Sequence, residues 1–243
     1  MSSSESTAEM TDQDIYHSGE YWERNDGFHE EDGLYKANHC LKMLQAQNLL
    51  SKPLKVVDVG CGSGRFLYQL STKVDGEFLG VDVSDQSVAA ANSKHRRQNL
   101  SFVKRDVFEI GEKFDLVTMN DVFEHVEDYI GFLRMTRQLG SYFYFNIPLD
   151  MTVLSVFRNS YMKWRDDVGH LHYFSKNSAL ATLEYAGYEI LDHQYNNYVL
   201  HEVKTRRTVK NVLGALPRLA TFKIAPDFSV NLLGGASLGV LCR

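Results

Sequence analysis

The run Val56-Val57-Asp58-Val59-Gly60-Cys61-Gly62-Ser63-Gly64-Arg65-Phe66-Leu67 constrains the fold of this chain more than any other stretch. An apolar segment brackets the acid Asp58, three glycines alternate with small residues, and an apolar-periodic segment follows. That order spells a strand, a tight turn and the start of a helix. Gly60, Gly62 and Gly64 can take backbone conformations closed to other residues and let a ligand lie against the main chain. The helix start offers unpaired N–H groups and the positive end of a dipole, which favour an anionic group. The loop is therefore read as the seat of a nucleotide-like cofactor, with Asp58, Gly60, Cys61, Gly62 and Gly64 around it. A dinucleotide loop, Gly-x-Gly-x-x-Gly, keeps its last glycine where this chain has Arg65, and a long side chain there opposes close packing under a pyrophosphate.

The chain around this run alternates. The spacing of Leu34, Ala37, Leu41 and Leu44 predicts an amphipathic helix from Leu34 to Leu49, stopped by Ser51-Lys52-Pro53. Strands are expected from Leu54 to Val59, Glu77 to Val83, Leu100 to Lys104, Phe114 to Met119, Tyr142 to Ile147, Tyr188 to Tyr195 and Ala236 to Cys242. Helices fall between them from Gly64, Gln86, Asp128 and Lys176. This rhythm predicts an α/β fold, a doubly wound and mostly parallel sheet with helices on both faces. Residues 1–14, rich in Ser, Thr and Glu, read as a disordered tail. The remainder reads as a single domain with a lid at 15–50 and insertions at 149–174 and 196–235. In the lid, Tyr21 and Trp22 either contact substrate or cover the edge of the core.

At 243 residues and 44% apolar content the chain can bury one sizeable core. A net charge of −5 argues against a nucleic-acid binder. Cys40, Cys61 and Cys242 are too far apart for a zinc framework, and no metal is assigned. No apolar run is long enough for stable membrane insertion, so a cytoplasmic location, as monomer or homodimer, is the expectation.

Further candidates sit at the ends of the expected strands. Asp82, about twenty positions past the glycine turn, can accept from both hydroxyls of a ribose, with Val83 beside it. Asp106 can accept from an adenine amino group, flanked by Val107 and Phe108. Asn120 and Asp121 end the fourth strand. The set Asp58 to Gly64, then Asp82, Asp106 and Phe114-Asp115-Leu116-Val117 resembles class I S-adenosylmethionine (SAM)-dependent methyltransferases from about Leu54 to Ile147. Asn120-Asp121-Val122-Phe123-Glu124-His125-Val126 and Gly169-His170-Leu171-His172-Tyr173-Phe174-Ser175 resemble the branch that holds ubiquinone-pathway O-methyltransferases and small-metabolite and sugar methyltransferases. The resemblance implies a Rossmann-like seven-stranded sheet with its last strand antiparallel, inserted between strands five and six. It implies SAM as cofactor, S-adenosylhomocysteine as product, and transfer to oxygen, less readily nitrogen, of a small metabolite or sugar. Surface-polysaccharide or secondary-metabolite biosynthesis is the setting it suggests.

Such a reaction needs alignment first and a base second. His125, His170 and His172 are the candidate bases, each also readable as a histidine that pins a loop. Asp121, Glu124 and His125 lack a reliable metal-ligand spacing. Tyr173 and Arg165 are candidate substrate contacts. Lys204, Arg206, Arg207, Lys210, Arg218 and Lys223 form a basic stretch that reads as a solvated face, an anionic-acceptor site or a contact for an acidic membrane surface. Two other classes stay open: a nicotinamide-dependent oxidoreductase, opposed by Arg65, and a non-catalytic SAM-binding partner protein.

Overall fold

The computed structural model describes residues 30–197 and 209–243. Tyr21 and Trp22, and Lys204, Arg206 and Arg207, lie outside the described residues, as does the proposed tail. Helix α1 (Glu30–Ala46) precedes β1 (Leu54–Val59), α2 (Arg65–Ser71), β2 (Gly76–Asp82), α3 (Asp85–Lys94), β3 (Leu100–Lys104) and β4 (Phe114–Asn120). Then come α4 (Tyr129–Thr136), β5 (Gly140–Pro148), the short helices α5 (Val153–Phe157) and α6 (Ser160–Val168), and α7 (Lys176–Ala186). The chain closes with β6 (Ile190–Asn196), α8 (Val209–Ile224), α9 (Pro226–Leu233) and β7 (Ser237–Cys242). Single 3₁₀ turns follow β3 and β4.

The strands form one sheet in the order β3-β2-β1-β4-β5-β7-β6. β1 pairs in parallel with β2 and β4, β2 with β3, and β4 with β5. β7 runs antiparallel between β5 and β6. This is the expected Rossmann-like arrangement of seven strands, the last one antiparallel. The strand order reverses between β1 and β4, and in an open α/β sheet ligands gather outside the carboxyl ends of the strands at such a switch point.

The two faces of the sheet carry separate apolar layers because successive side chains on a strand point to opposite sides. On one face Val57, Val117, Phe143, Phe145 and Val240 meet Leu133 of α4 and Leu183 of α7. On the other, Val56, Leu116, Tyr144 and Leu241 meet Ala37, Met43 and Leu44 of α1, Leu67 and Leu70 of α2, and Ala91 of α3. Helices on both faces follow directly from apolar residues on both faces.

Helix α1 differs from its sequence expectation. It starts four residues earlier, at Glu30, and ends at Ala46, with Asn48 at φ 55 turning the chain. Its buried stripe is Ala37, Cys40, Met43 and Leu44, while Leu34 is 39% exposed. The face is therefore rotated from the expected one, and it brings Gly33 and Lys36 inward. The second strand stops at Asp82, because the carboxylate of that residue closes the turn that follows.

Candidate active site

The glycine turn joins β1 to α2. Gly60, Gly62 and Gly64 have φ of 67°, 51° and 76°, a region that penalises every residue with a Cβ. The three differ in what they face. A Cβ on Gly62 would meet nothing within 4 Å, so its main chain is open to a ligand. A Cβ on Gly64 would lie 2.6 Å from Phe102 Cζ, so this glycine serves the contact between the turn and the β3 and α3 layer beneath it. Cys61 is buried with its amide donating to the Val81 carbonyl, 3.0 Å. Its thiol is pushed well above the ordinary range by burial and by the charges of Asp82 and Asp58.

A cavity of about 450 Å³ opens at the carboxyl ends of β1, β2 and β4. Its wall includes Asp58, Gly60, Cys61, Gly62, Asp82, Val83, Asp106, Val107, Asn120, Asp121 and His125. Gly64, His170, His172, Tyr173 and Arg165 are not on that wall. One end is apolar, with Val83, Val107, Phe108 and Phe132; the other is polar, with Lys36, Asp58, Asn120 and Asp121.

At the polar end Asp58 is 2% exposed. It accepts from Thr118 Oγ1 at 2.7 Å and from Asn120 Nδ2 at 3.3 Å. Burial pushes its carboxyl up to about 7, against the pull of those two donors. With the Asn120 amide nitrogen turned toward Asp58, the Asn120 Oδ1 is buried without a hydrogen-bond partner among the described residues. Asp121 stands in the left-handed region, φ 54. Its carboxylate pairs with Lys36 of α1 and accepts from Asn146 Nδ2 at 2.8 Å, and Asn146 Oδ1 in turn accepts from Asn196 Nδ2 at 2.9 Å. Lys36 carries no motif; its trace in the sequence is a lysine set one helical step from the buried stripe of α1, at Ala37 and Cys40.

Asp82 accepts from Gly62 N–H and Ser84 N–H, each at 2.9 Å, and so ties the glycine turn to the end of β2. Burial raises its pKa, with both amides opposing. Ser84, not Asp82, caps α3. Each Asp82 oxygen keeps acceptor capacity for a further donor. Asp106 is exposed and caps the 3₁₀ turn after β3, accepting from Phe108 N at 3.0 Å.

The three candidate bases part company. His125 is on the cavity wall, and its Nδ1 lies 3.0 Å from the Gly169 carbonyl. A carbonyl only accepts, so Nδ1 bears the proton and Nε2 presents a lone pair. His170 Nδ1 meets Asp150 Oδ2 at 2.9 Å, and its ring is edge-on to His125 with centroids 4.8 Å apart. His172 donates Nε2–H to the Val126 carbonyl, 3.0 Å, and packs on Tyr129. His170 and His172, expected on a common side of an extended segment, thus have different partners. Tyr173 places its hydroxyl against the Tyr161 and His170 carbonyls at 2.7 and 3.0 Å, which pins the loop of the first insertion. Arg165 is exposed on α6.

Glu124 is fully buried, and both its carboxylate oxygens lack a hydrogen-bond partner among the described residues. Burial, reinforced by the charge of Asp121, pushes its pKa well above the usual carboxylate range. One ligand atom each from Glu124, His125 and His170 lies within 4.8 Å of the others. With each Nδ1 held by an acceptor, this is a set able to take a divalent cation or to pass a proton.

The family model described as "Methyltransferase domain" matches residues 30–193, more than half of the chain. The chain belongs to the methyltransferase-domain family. It is a SAM-dependent methyltransferase of class I fold. Among curated relatives, the ubiquinone biosynthesis O-methyltransferase of Rhodopseudomonas palustris (strain TIE-1) is 25% identical over 192 residues, covering 74% of this chain and 69% of the relative. The cyclopropane-fatty-acyl-phospholipid synthase of Escherichia coli (strain K12) is 25% identical over 118 residues, 48% of this chain and 29% of that enzyme. Among solved structures, magnesium protoporphyrin IX methyltransferase from Synechocystis PCC 6803 with bound SAM aligns over 98% of this methyltransferase and 100% of that chain, with a TM-score of 0.61 at 16% identity. That last likeness concerns the fold.

Proposed function

We propose that this methyltransferase transfers a methyl group to an oxygen, and less readily a nitrogen, of a small metabolite or sugar, with His125 as general base. The observation that carries the reading is the placement of His125: on the cavity wall, with its proton held at Nδ1 by the Gly169 carbonyl, the tautomer in which Nε2, 3.9 Å from a Glu124 carboxylate oxygen, is the basic nitrogen. Asn120 Oδ1, without a hydrogen-bond partner among the described residues, and the open main chain at Gly62 fit the cationic amino acid end of SAM, and the apolar flank at Val83, Val107 and Phe108 fits an adenine ring. When bound, SAM supplies a methyl group already activated by a sulfonium.

The chain's own residues do the rest. Asp58 and Asn120 hold the ammonium, and Asp82 accepts from the ribose hydroxyls. Asp106 accepts from the adenine amino group. His125 takes the acceptor's proton, a role worth about 10²–10⁴-fold in rate. Lys36, paired with Asp121, adds positive charge that suits an anionic acceptor or the cofactor carboxylate.

Calorimetric titration with SAM, followed by methyl transfer to a panel of hydroxylated acceptors, tests this. His125→Ala should lower turnover at least tenfold, leave SAM affinity nearly unchanged and remove the acidic limb of the pH–rate profile. Wild-type turnover in that variant refutes the base; a folded sample that binds no SAM refutes the assignment of the cavity. The Glu124, His125 and His170 cluster favours one second reading, a divalent cation that lowers the pKa of the acceptor hydroxyl. Loss of turnover with a chelator, restored by added cation, selects it.

A further inference from the structure

We propose that Arg65 takes the carboxylate of SAM, and that Gly33 of α1 is there to give it room. Arg65 opposes a dinucleotide, and methyl transfer with His125 as base leaves it without a task. It is the first residue of α2, directly after the glycine turn, and it lies on the cavity wall together with Gly33, Lys36 and Ser63.

Helices α1 and α2 pack on each other, and Gly33 is at the contact. A Cβ on Gly33 would lie 2.6 Å from Arg65 Cγ, 2.8 Å from Arg65 Cβ and 2.9 Å from the Phe66 amide nitrogen. The φ of Gly33 is outside the left-handed region, so its conformation accepts any residue and only the space calls for glycine. Glycine weakens a helix relative to alanine, and its use here answers to the contact. The stem of Arg65 therefore lies against the main chain of α1. A stem already packed loses less freedom when its head group binds.

Charge selects the ligand group. The lysines and arginines of the cavity wall are Lys36, Arg65 and Arg105. Lys36 is paired with Asp121. Arg105 is exposed and follows β3 beside Asp106, at the end that fits the adenine. Arg65 makes no hydrogen bond or ion pair among the described residues. An anion at the polar end meets Asp58 and Asp121, and Lys36 balances only the second of these. Arg65 supplies the charge that is then lacking. Its planar guanidinium can give a carboxylate two parallel hydrogen bonds. SAM has one anionic group, the carboxylate of its methionine portion, beside the ammonium assigned to Asp58 and Asn120. Asp58 and Arg65 stand on either side of the glycine turn, whose main chain is open at Gly62. An acid and a cation flanking one open loop match the two charges of one amino acid. The inference rests on SAM as the cofactor and not on the choice of acceptor or base.

Calorimetric titration of the full chain with SAM and with decarboxylated SAM, which keeps the ammonium and lacks the carboxylate, tests this. Wild type should bind SAM roughly 10–100-fold more tightly than the decarboxylated form, the range of a charge-assisted hydrogen-bonded pair. Arg65→Gln should lose that preference: SAM affinity falls by the same factor, while affinity for the decarboxylated form stays within about threefold of wild type. Arg65→Lys, a point charge without the fork, should fall between the two. The head group of Arg65 holds nothing else among the described residues, so the thermal melt of Arg65→Gln without SAM should match wild type. A wild type without the preference overturns the proposal, as does an Arg65→Gln variant that keeps it. Equal loss of both ligands in Arg65→Gln also overturns it and makes Arg65 a support of the turn. Normal SAM binding with a raised Michaelis constant for the acceptor overturns it and assigns Arg65 to an anionic acceptor. A folded wild type that binds neither ligand removes SAM from the cavity and the proposal with it; a wild type that binds SAM keeps that assignment whatever Arg65→Gln does.

Discussion

Asp58 sits where burial and function pull in opposite directions. Its folded-state pKa, about 7, is far above the ordinary aspartate value. The folded chain therefore holds this proton more tightly than the unfolded chain, and it loses relative stability as pH rises from about 4 to about 7. Above that window the penalty is complete. Asp58→Asn keeps an acceptor for Thr118 and Asn120 and removes the charge. Thermal melts across pH should show Asp58→Asn more stable than wild type at pH 8, with the gap closing toward pH 4; a gap independent of pH would show that the carboxyl is not the cause. Lys36 presents the opposite case. Burial lowers its pKa, but the charge and hydrogen bond of Asp121 more than compensate, so it stays charged. Removing one partner strands the other: Lys36→Met should cost on the order of 3 kcal/mol in urea unfolding, and Lys36→Met/Asp121→Asn should recover most of it. Strict additivity of the two single changes would deny the coupling. Asp58 was legible in the sequence because it closes an apolar strand against a glycine turn. Lys36 was not, because nothing local says which face of α1 turns inward.

The turn between β1 and α2 shows how one motif divides its labour. Gly62 and Gly64 share a positive φ, so Ala at either position carries roughly 1–2 kcal/mol of backbone strain. At Gly64 the added methyl also collides with Phe102, a further cost of about 1–3 kcal/mol. At Gly62 it projects into open space. Gly64→Ala should therefore lower the thermal midpoint clearly more than Gly62→Ala, while Gly62→Ala should stay folded and lose SAM affinity. Equal destabilisation, with binding intact in Gly62→Ala, contradicts that division. The strands and their succession along the chain were readable from alternation and turn residues, to within a residue or two at Asp82, Asn120 and Pro148, while the antiparallel place of β7 came from the family resemblance. The ends of α1 were not, because its helical pattern is shared by a buried stripe and by the more exposed Leu34 and Leu41, which blurs where the helix begins.

At the scale of the whole molecule, one sheet with two apolar layers carries a cavity at its switch point, so ligand binding and global folding are linked. SAM at a hundredfold its dissociation constant adds about 2.7 kcal/mol to the folded state, which for a chain of this size raises the thermal midpoint by roughly 5–10 °C. A melt insensitive to SAM would mean that the cavity is not its site. The sequence by itself determined the strands, the helices between them and the cofactor loop, because period-two and period-3.6 patterns and glycine-rich turns are local properties of the chain. Only the tertiary structure decided which histidine lines the cavity, that Lys36 reaches Asp121, and that Glu124 is buried without a donor among the described residues. Those outcomes depend on contacts between residues far apart in the chain, such as Lys36 with Asp121 and His125 with Gly169, and no local pattern encodes them.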